Sequence, residues 1–245
     1  MKNIFILFTL FVTTASFVLA DDHKVSIESD GTVAQFNYIT VTDPMDFMSA
    51  LDKFDKSSCA DEWRKESDVA VSLWSLRGSG SSHFILVHYP NWDMMEKGTA
   101  IFNSCPESAN MLKTFINNTD TDRSWNWISE NALAGRAWQA NTVFRKINFK
   151  VAEGSAGEYA AAWKKLMMAQ MDNIPGSFGL NSIPYGNRYS SHMVYLGADS
   201  MSELSEAFTN VINSNDFKEF AKSTGDIRTL VNTELVQLVK TYDGT

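Results

Sequence analysis

The chain carries nearly the same pattern twice, and this constrains its fold more than any other feature. Ser81-Ser82-His83-Phe84 returns as Ser190-Ser191-His192-Met193, roughly 110 residues later. At almost the same interval Phe36-Asn37-Tyr38-Ile39 is echoed by Phe144-Arg145-Lys146-Ile147, and Phe102-Asn103-Ser104 by Ile212-Asn213-Ser214. The three anchors keep one order and drift by a single residue each. A unit of roughly 100 residues is too long for a solenoid repeat and suits a small domain. The chain therefore divides into residues 33–139 and 140–245, two copies of one unit.

Hydrophobic periodicity gives both copies the same order of elements. In the first, residues 34–41 alternate like a strand, and Asp43-Pro44 opens a helix with Phe47, Met48, Leu51 and Phe54 on one side. Residues 69–76 and 82–89 form a hairpin about Gly78-Ser79-Gly80. A second helix carries Trp92, Met95 and Phe102, breaks near Pro106, and is followed by a closing strand placed at residues 133–138. In the second copy, strands at 142–151, 177–183, 190–196 and 233–241 alternate with helices at 158–171, 200–211 and 215–222. Ser200-Met201-Ser202-Glu203 is a capping box.

Both copies read β-α-β-β-α-β, the ferredoxin-like order, and the predicted fold class is α+β. One such unit leaves a sheet face bare, because both helices pack on the other side. Two units packed sheet to sheet cover each other's bare faces. The expected architecture is a pseudo-dimer within one chain.

Two short runs add a resemblance. Ile174-Pro175-Gly176-Ser177-Phe178-Gly179-Leu180 resembles the proline-glycine entry into a strand of antibiotic-biosynthesis-monooxygenase domains. Ser214-Asn215-Asp216-Phe217-Lys218-Glu219-Phe220 resembles their short helix after the third strand. With the strand order, the chain is similar to the dimeric α+β barrel superfamily, here fused in tandem. That superfamily includes cofactor-free quinol-type monooxygenases and haem-degrading monooxygenases. The resemblance implies a monooxygenase-like fold without choosing an activity. Haem-degrading members carry an asparagine on the first strand, a tryptophan ending the third, and a histidine ligand on the next helix. Asn37 matches the first, Tyr89 stands at the second, and Leu112 and Ala221 stand near the third. The resemblance thus implies no haem, and no cofactor is expected.

Residues 1–20 read as a secretory leader, with Lys2, an apolar run from Ile4 to Val18, and Ala20 before Asp21. The run is too short for a stable anchor, so a periplasmic or extracellular protein without membrane insertion is expected. The formal net charge of −8, with scattered lysines and arginines, argues against a nucleic-acid partner. Cys59 and Cys105 are the two cysteines, and in an oxidising compartment they read as one disulfide, with free thiols the alternative. No metal site is expected.

The candidate chemistry lies on strands. His83 and His192 hold equivalent positions, and an imidazole beside an apolar cavity can act as a general base. The structural alternative is that each caps a strand end beside its two serines. Asn37 and Arg145 are equivalent on the first strands, and Trp74 and Asn181 on the second. If their faces line the barrel, they offer a ligand site together with Tyr89. His88, Tyr195 and Arg188 are weaker candidates. The leading function is an exported small-molecule-binding protein of the monooxygenase-like superfamily. One alternative is a cofactor-free oxygenase acting on an electron-rich aromatic, with His83 or His192 as base and Asn37 or Arg145 stabilising negative charge. The other is a non-catalytic interaction protein.

Overall fold

Among the described residues eight strands carry the architecture: β1 (Val33–Ile39), β2 (Ala70–Arg77), β3 (His83–Tyr89), β4 (Trp125–Ala134), β5 (Val143–Val151), β6 (Phe178–Tyr185), β7 (His192–Ala198) and β8 (Arg228–Tyr242). They come from a computed structural model that describes residues 26–187 and 189–244. The expected leader at residues 1–20 and the candidate Arg188 lie outside the described residues. Seven helices are present among the described residues: α1 (Pro44–Asp55), α2 (Ser58–Ser67), α3 (Trp92–Ser104), α4 (Pro106–Asn118), α5 (Ala156–Gln170), α6 (Met201–Asn213) and α7 (Asn215–Thr224). Among the described residues no helix is long and apolar enough to cross a membrane.

The strands form one closed antiparallel barrel in the order β1-β3-β2-β8-β5-β7-β6-β4. This overturns the expected α+β arrangement of two ferredoxin-like βαββαβ halves packed sheet to sheet. The sheets meet edge to edge: β2 pairs with β8 and β4 with β6, closing a single cylinder. The physical reason is the unpaired backbone row that an open sheet edge exposes, which closure removes. The closing strand of the first half also lies earlier than the sequence placed it, at Trp125–Ala134. Register shifts beside Ile128 and Asn131 break its alternation, which hides it from a period-two reading.

Local rules explain the helices. Asp43 caps α1 by accepting from the amides of Met45 and Asp46, with Pro44 in the first turn. Ser200 accepts from the Glu203 amide at 3.2 Å to start α6. The sequence reading missed α2, whose polar run buries only Cys59, Ala60, Trp63 and Ser67. Helices α1–α4 cover the outer face of β1–β3, and α5–α7 that of β5–β7, giving two outer cores around an inner one. Strands covered on both faces are apolar on both, as in other doubly covered sheets.

The Ser-Ser-His motif does the same work in both halves. Ser82 Oγ accepts from the Val41 amide at 3.0 Å, and Ser191 Oγ from the Val151 amide at 2.9 Å. Ser82 donates its own amide to Ile39 and Ser191 to Phe149, locking each hairpin to the strand beside it.

Cys59 and Cys105 form a disulfide that ties α2 to the break between α3 and α4. The loop it closes spans a sequence separation of 46. Replacing both cysteines by alanine is expected to cost roughly 2–4 kcal/mol. Urea unfolding of the oxidised protein and the double variant checks this, and equal midpoints would contradict it.

Candidate functional site

The barrel interior is not fully packed. A cavity of about 480 Å³ opens at one end and reaches inward to Lys146. Its walls are aromatic, with Phe36, Trp74, Phe84, Phe144 and Tyr195 among them. Gly179 lets the Tyr195 ring lie against β6, since a Cβ there would fall 2.5 Å from the phenolic oxygen. The mouth is crossed by residues 26–32 and by the segment after β4. Glu28 and Ala134 exchange backbone hydrogen bonds, and Ser29 Oγ donates to the Asn131 carbonyl at 2.7 Å. Arg136 donates to the carbonyls of Ile174 and Gly176, fixing the segment that carries Trp138.

A polar cluster is buried in this apolar setting. Lys146 Nζ donates to Tyr38 Oη at 2.6 Å and to Glu234 Oε2 at 3.1 Å. Tyr38 donates to the same carboxylate oxygen at 2.8 Å, and Asn232 donates to the other at 3.1 Å. Glu234 is fully buried and Lys146 nearly so. The ammonium also lies 4.4 Å from the Phe36 ring centroid and 4.8 Å from that of Phe84. Burial pushes the Lys146 pKa down, while the Glu234 charge and hydrogen bond oppose that shift. Burial raises Tyr38 well above the usual phenol, and Glu234 adds to it.

His88 lies on the cavity wall with its ring edge-on to Trp138, centroids 5.4 Å apart. Burial lowers its pKa, opposed by Asp30 at the mouth, so the ring is neutral at pH 7. Asn181 Nδ2 donates to Ser129 Oγ at 3.1 Å and sits beside Asn131.

Two further cavities lie between the barrel and its helices. The one under α1–α4, of about 450 Å³, includes Asn37 and Tyr89. Asn37 accepts from Gln35 Nε2 at 2.8 Å, and Tyr89 Oη accepts from Trp63 Nε1 at 3.2 Å. The one under α5–α7, of about 380 Å³, includes Arg145. The expected ligand set is thus dispersed: Trp74 and Asn181 share the barrel cavity, Asn37 and Tyr89 the first helix-side cavity, and Arg145 the second. His83 and His192 line none of the three. Each holds its Nδ1 2.9 Å from the hydroxyl of the preceding serine. Tyr38, Lys146 and Glu234 were missed. Little in the sequence singled them out: Lys146 shares β5 with Arg145 and Lys150, and only Glu234 stands apart, as the one acidic residue of β8.

No family model matches the chain, and no curated protein matches it in sequence. Solved structures do share its fold. An anthrone oxidase-like protein superposes with a TM-score of 0.60 at 14% identity, covering 89% of this chain and 97% of its own. A candidate monooxygenase from Lactobacillus acidophilus gives 0.53 at 14% identity, covering 87% and 97%. A haem-binding protein from Thermus thermophilus gives 0.52 at 9% identity, covering 86% and 92%. These likenesses establish a fold shared with monooxygenase-like proteins. A histidine-ligated haem does not fit the donor set here. Among the described residues no histidine lines either helix-side cavity, and His88, on the barrel wall, faces the Trp138 ring.

Two outcomes follow from the buried groups. Glu234→Gln leaves the Lys146 charge unpaired and is expected to cost roughly 3–5 kcal/mol, most of it recovered in Lys146→Met/Glu234→Gln. Urea denaturation of the two variants checks this, and equal losses would contradict it. Burial also lowers the pKa of His83, His88 and His192, so the unfolded chain binds more protons below about pH 6.5. Stability should therefore fall as pH drops from 7 to 5.5. The fall should be smaller when all three are replaced by glutamine, and an unchanged slope would contradict it.

Proposed function

We propose that the chain is an exported small-molecule-binding protein whose site is the barrel cavity, taking a neutral, planar aromatic ligand with an acceptor oxygen. The observation that carries this is Lys146, held by Glu234 and Tyr38, at the inner wall of an open aromatic cavity. A buried ion pair is an expensive way to stabilise a core, and apolar side chains of similar volume usually do as well. Its presence beside open volume is accounted for by a ligand that uses it. An ammonium has three N–H donors, and Tyr38 and Glu234 take two, leaving one for a ligand oxygen. Lys146 and Glu234 balance in charge, so a charged ligand would be uncompensated. Glu28 and Asp30, against Arg136 alone, leave the mouth net negative and further disfavour anions.

Export is supported by the apolar N-terminal run and by the disulfide. The reading of residues 33–139 and 140–245 as two copies of one unit is supported by the matching roles of Ser82 and Ser191.

A second reading, a cofactor-free oxygenase acting on an electron-rich aromatic, is favoured by His88. As a neutral imidazole on the wall of the same cavity it can accept a proton from one end of a bound aromatic, while Lys146, against Phe84 four residues along β3, stabilises an oxyanion at the ligand's other end. The likeness to anthrone oxidase-like and monooxygenase-like structures supports choosing anthrone as the probe.

Anthrone should quench the protein's tryptophan fluorescence saturably, and Ala34→Ile, which narrows the cavity, should weaken binding at least tenfold. Equal binding to the narrowed variant would refute the barrel site. If the protein turns anthrone over, an oxygen electrode should record uptake that falls roughly 100-fold in His88→Gln. Binding without oxygen uptake would leave the binding function and remove the oxygenase.

A further inference from the structure

The cavity under α5–α7 differs in chemistry from the barrel cavity. Its lining is almost wholly apolar, with Phe149, Trp163, Leu166, Val194, Phe208 and Phe220 among the side chains. Against that background it presents two guanidiniums. Arg145 stacks on Phe208, its Cζ 3.5 Å from the ring centroid. Arg228 lies between Phe149 and Phe220, 4.6 and 4.5 Å from their centroids. Among the described residues neither forms an ion pair with a carboxylate.

Two polar groups in the same cavity are buried with a donor hydrogen unused, the Tyr159 hydroxyl and Arg145 Nε. Tyr159 is completely buried, and leaving such a hydroxyl unpaired costs free energy that a bound acceptor would return. Arg228 is its charged neighbour, with Cζ 5.8 Å from the Tyr159 ring centroid. Burial raises the Tyr159 pKa to about 12, a shift that the charge and hydrogen bond of Arg228 oppose, so the phenolic oxygen faces the guanidinium as acceptor and its own O–H remains a free donor at neutral pH.

The two cationic ends are too far apart to serve one head group. On β5, Arg145 and the Val151 that pairs with Arg228 are separated by about 20 Å of strand. The unpaired hydroxyl lies at the Arg228 end. An anion there can accept from the guanidinium fork and from Tyr159 together, while an apolar body extends along the aromatic and aliphatic walls.

We propose that this cavity is a second binding site, for a medium-chain aliphatic carboxylate whose head group is held by Arg228 and Tyr159. The volume of about 380 Å³ lies toward the lower end of ligand sites, which selects a medium chain over a long one. The site needs no metal or haem. It is separate from the barrel cavity, because β5, β7 and β8 stand between the two.

Decanoate, decanol and decyltrimethylammonium are the probes, titrated calorimetrically into the full protein. Decanoate should bind at least tenfold more tightly than decanol, and the cation should not bind. Arg228→Gln should abolish that preference. Tyr159→Phe, which keeps the ring and removes the orphaned hydroxyl, should weaken decanoate about fivefold without loss of fold by circular dichroism. It keeps the test decisive if Arg228→Gln does not fold. Ala34→Ile, in the barrel cavity, should leave decanoate affinity unchanged. Equal affinity for decanoate and decanol, or decanoate binding unaltered in Tyr159→Phe and Arg228→Gln, would overturn the proposal. Loss of decanoate binding in Ala34→Ile would also overturn it by placing the ligand in the barrel.

Discussion

Barrel closure is the constraint on which the rest of this structure depends. Each run of four strands leaves two edges of unpaired backbone donors and acceptors, and the pairings β2–β8 and β4–β6 satisfy them. Because β4 pairs with β1 on one side and β6 on the other, the first half of the chain is completed only by the second. Closure also creates an inside. The inward side chains have nowhere to go but the barrel axis, and whatever they do not fill becomes cavity.

Closure sorts the chain's chemistry into three compartments separated by single strands. Successive residues on a strand point to opposite faces. Arg145 therefore faces the helices, while its neighbour Lys146 faces the barrel. Asn37 lies under α1–α4, while Tyr38 touches Glu234 across the barrel. One step in sequence moves a side chain between compartments with different ligand chemistry. The barrel offers a balanced ion pair and aromatic rings. The cavity under α5–α7 offers unpaired cations and hydrocarbon.

Much of the element order was legible in the sequence, because repeated short motifs, turn glycines and helix caps are local signals. Asp43-Pro44, Ser200 and the Pro106 break all mark real boundaries. The way the sheets join was not legible, since edge pairing is a long-range property that repeats do not encode. Nor was the choice of face. Period two separates Asn37 and Arg145 from Tyr38 and Lys146, but both faces of a doubly covered strand are apolar, so hydropathy does not say which one is inside. The histidine pair drew attention through repetition, yet in each half the repeat preserves a serine that accepts a backbone amide. Charge did not mark the inward pair either: Lys146 is one of three basic residues on β5, and only Glu234, the one acidic residue of β8, stands apart in sequence.

The central claim is that the barrel is a ligand chamber and not merely a core. A crystal structure of the protein soaked with anthrone tests it most directly. The prediction is planar density within the barrel against Trp74 and Phe144, with the anthrone oxygen in hydrogen-bond range of Lys146 Nζ. Density confined to either helix-side cavity, with the barrel unchanged, would contradict it.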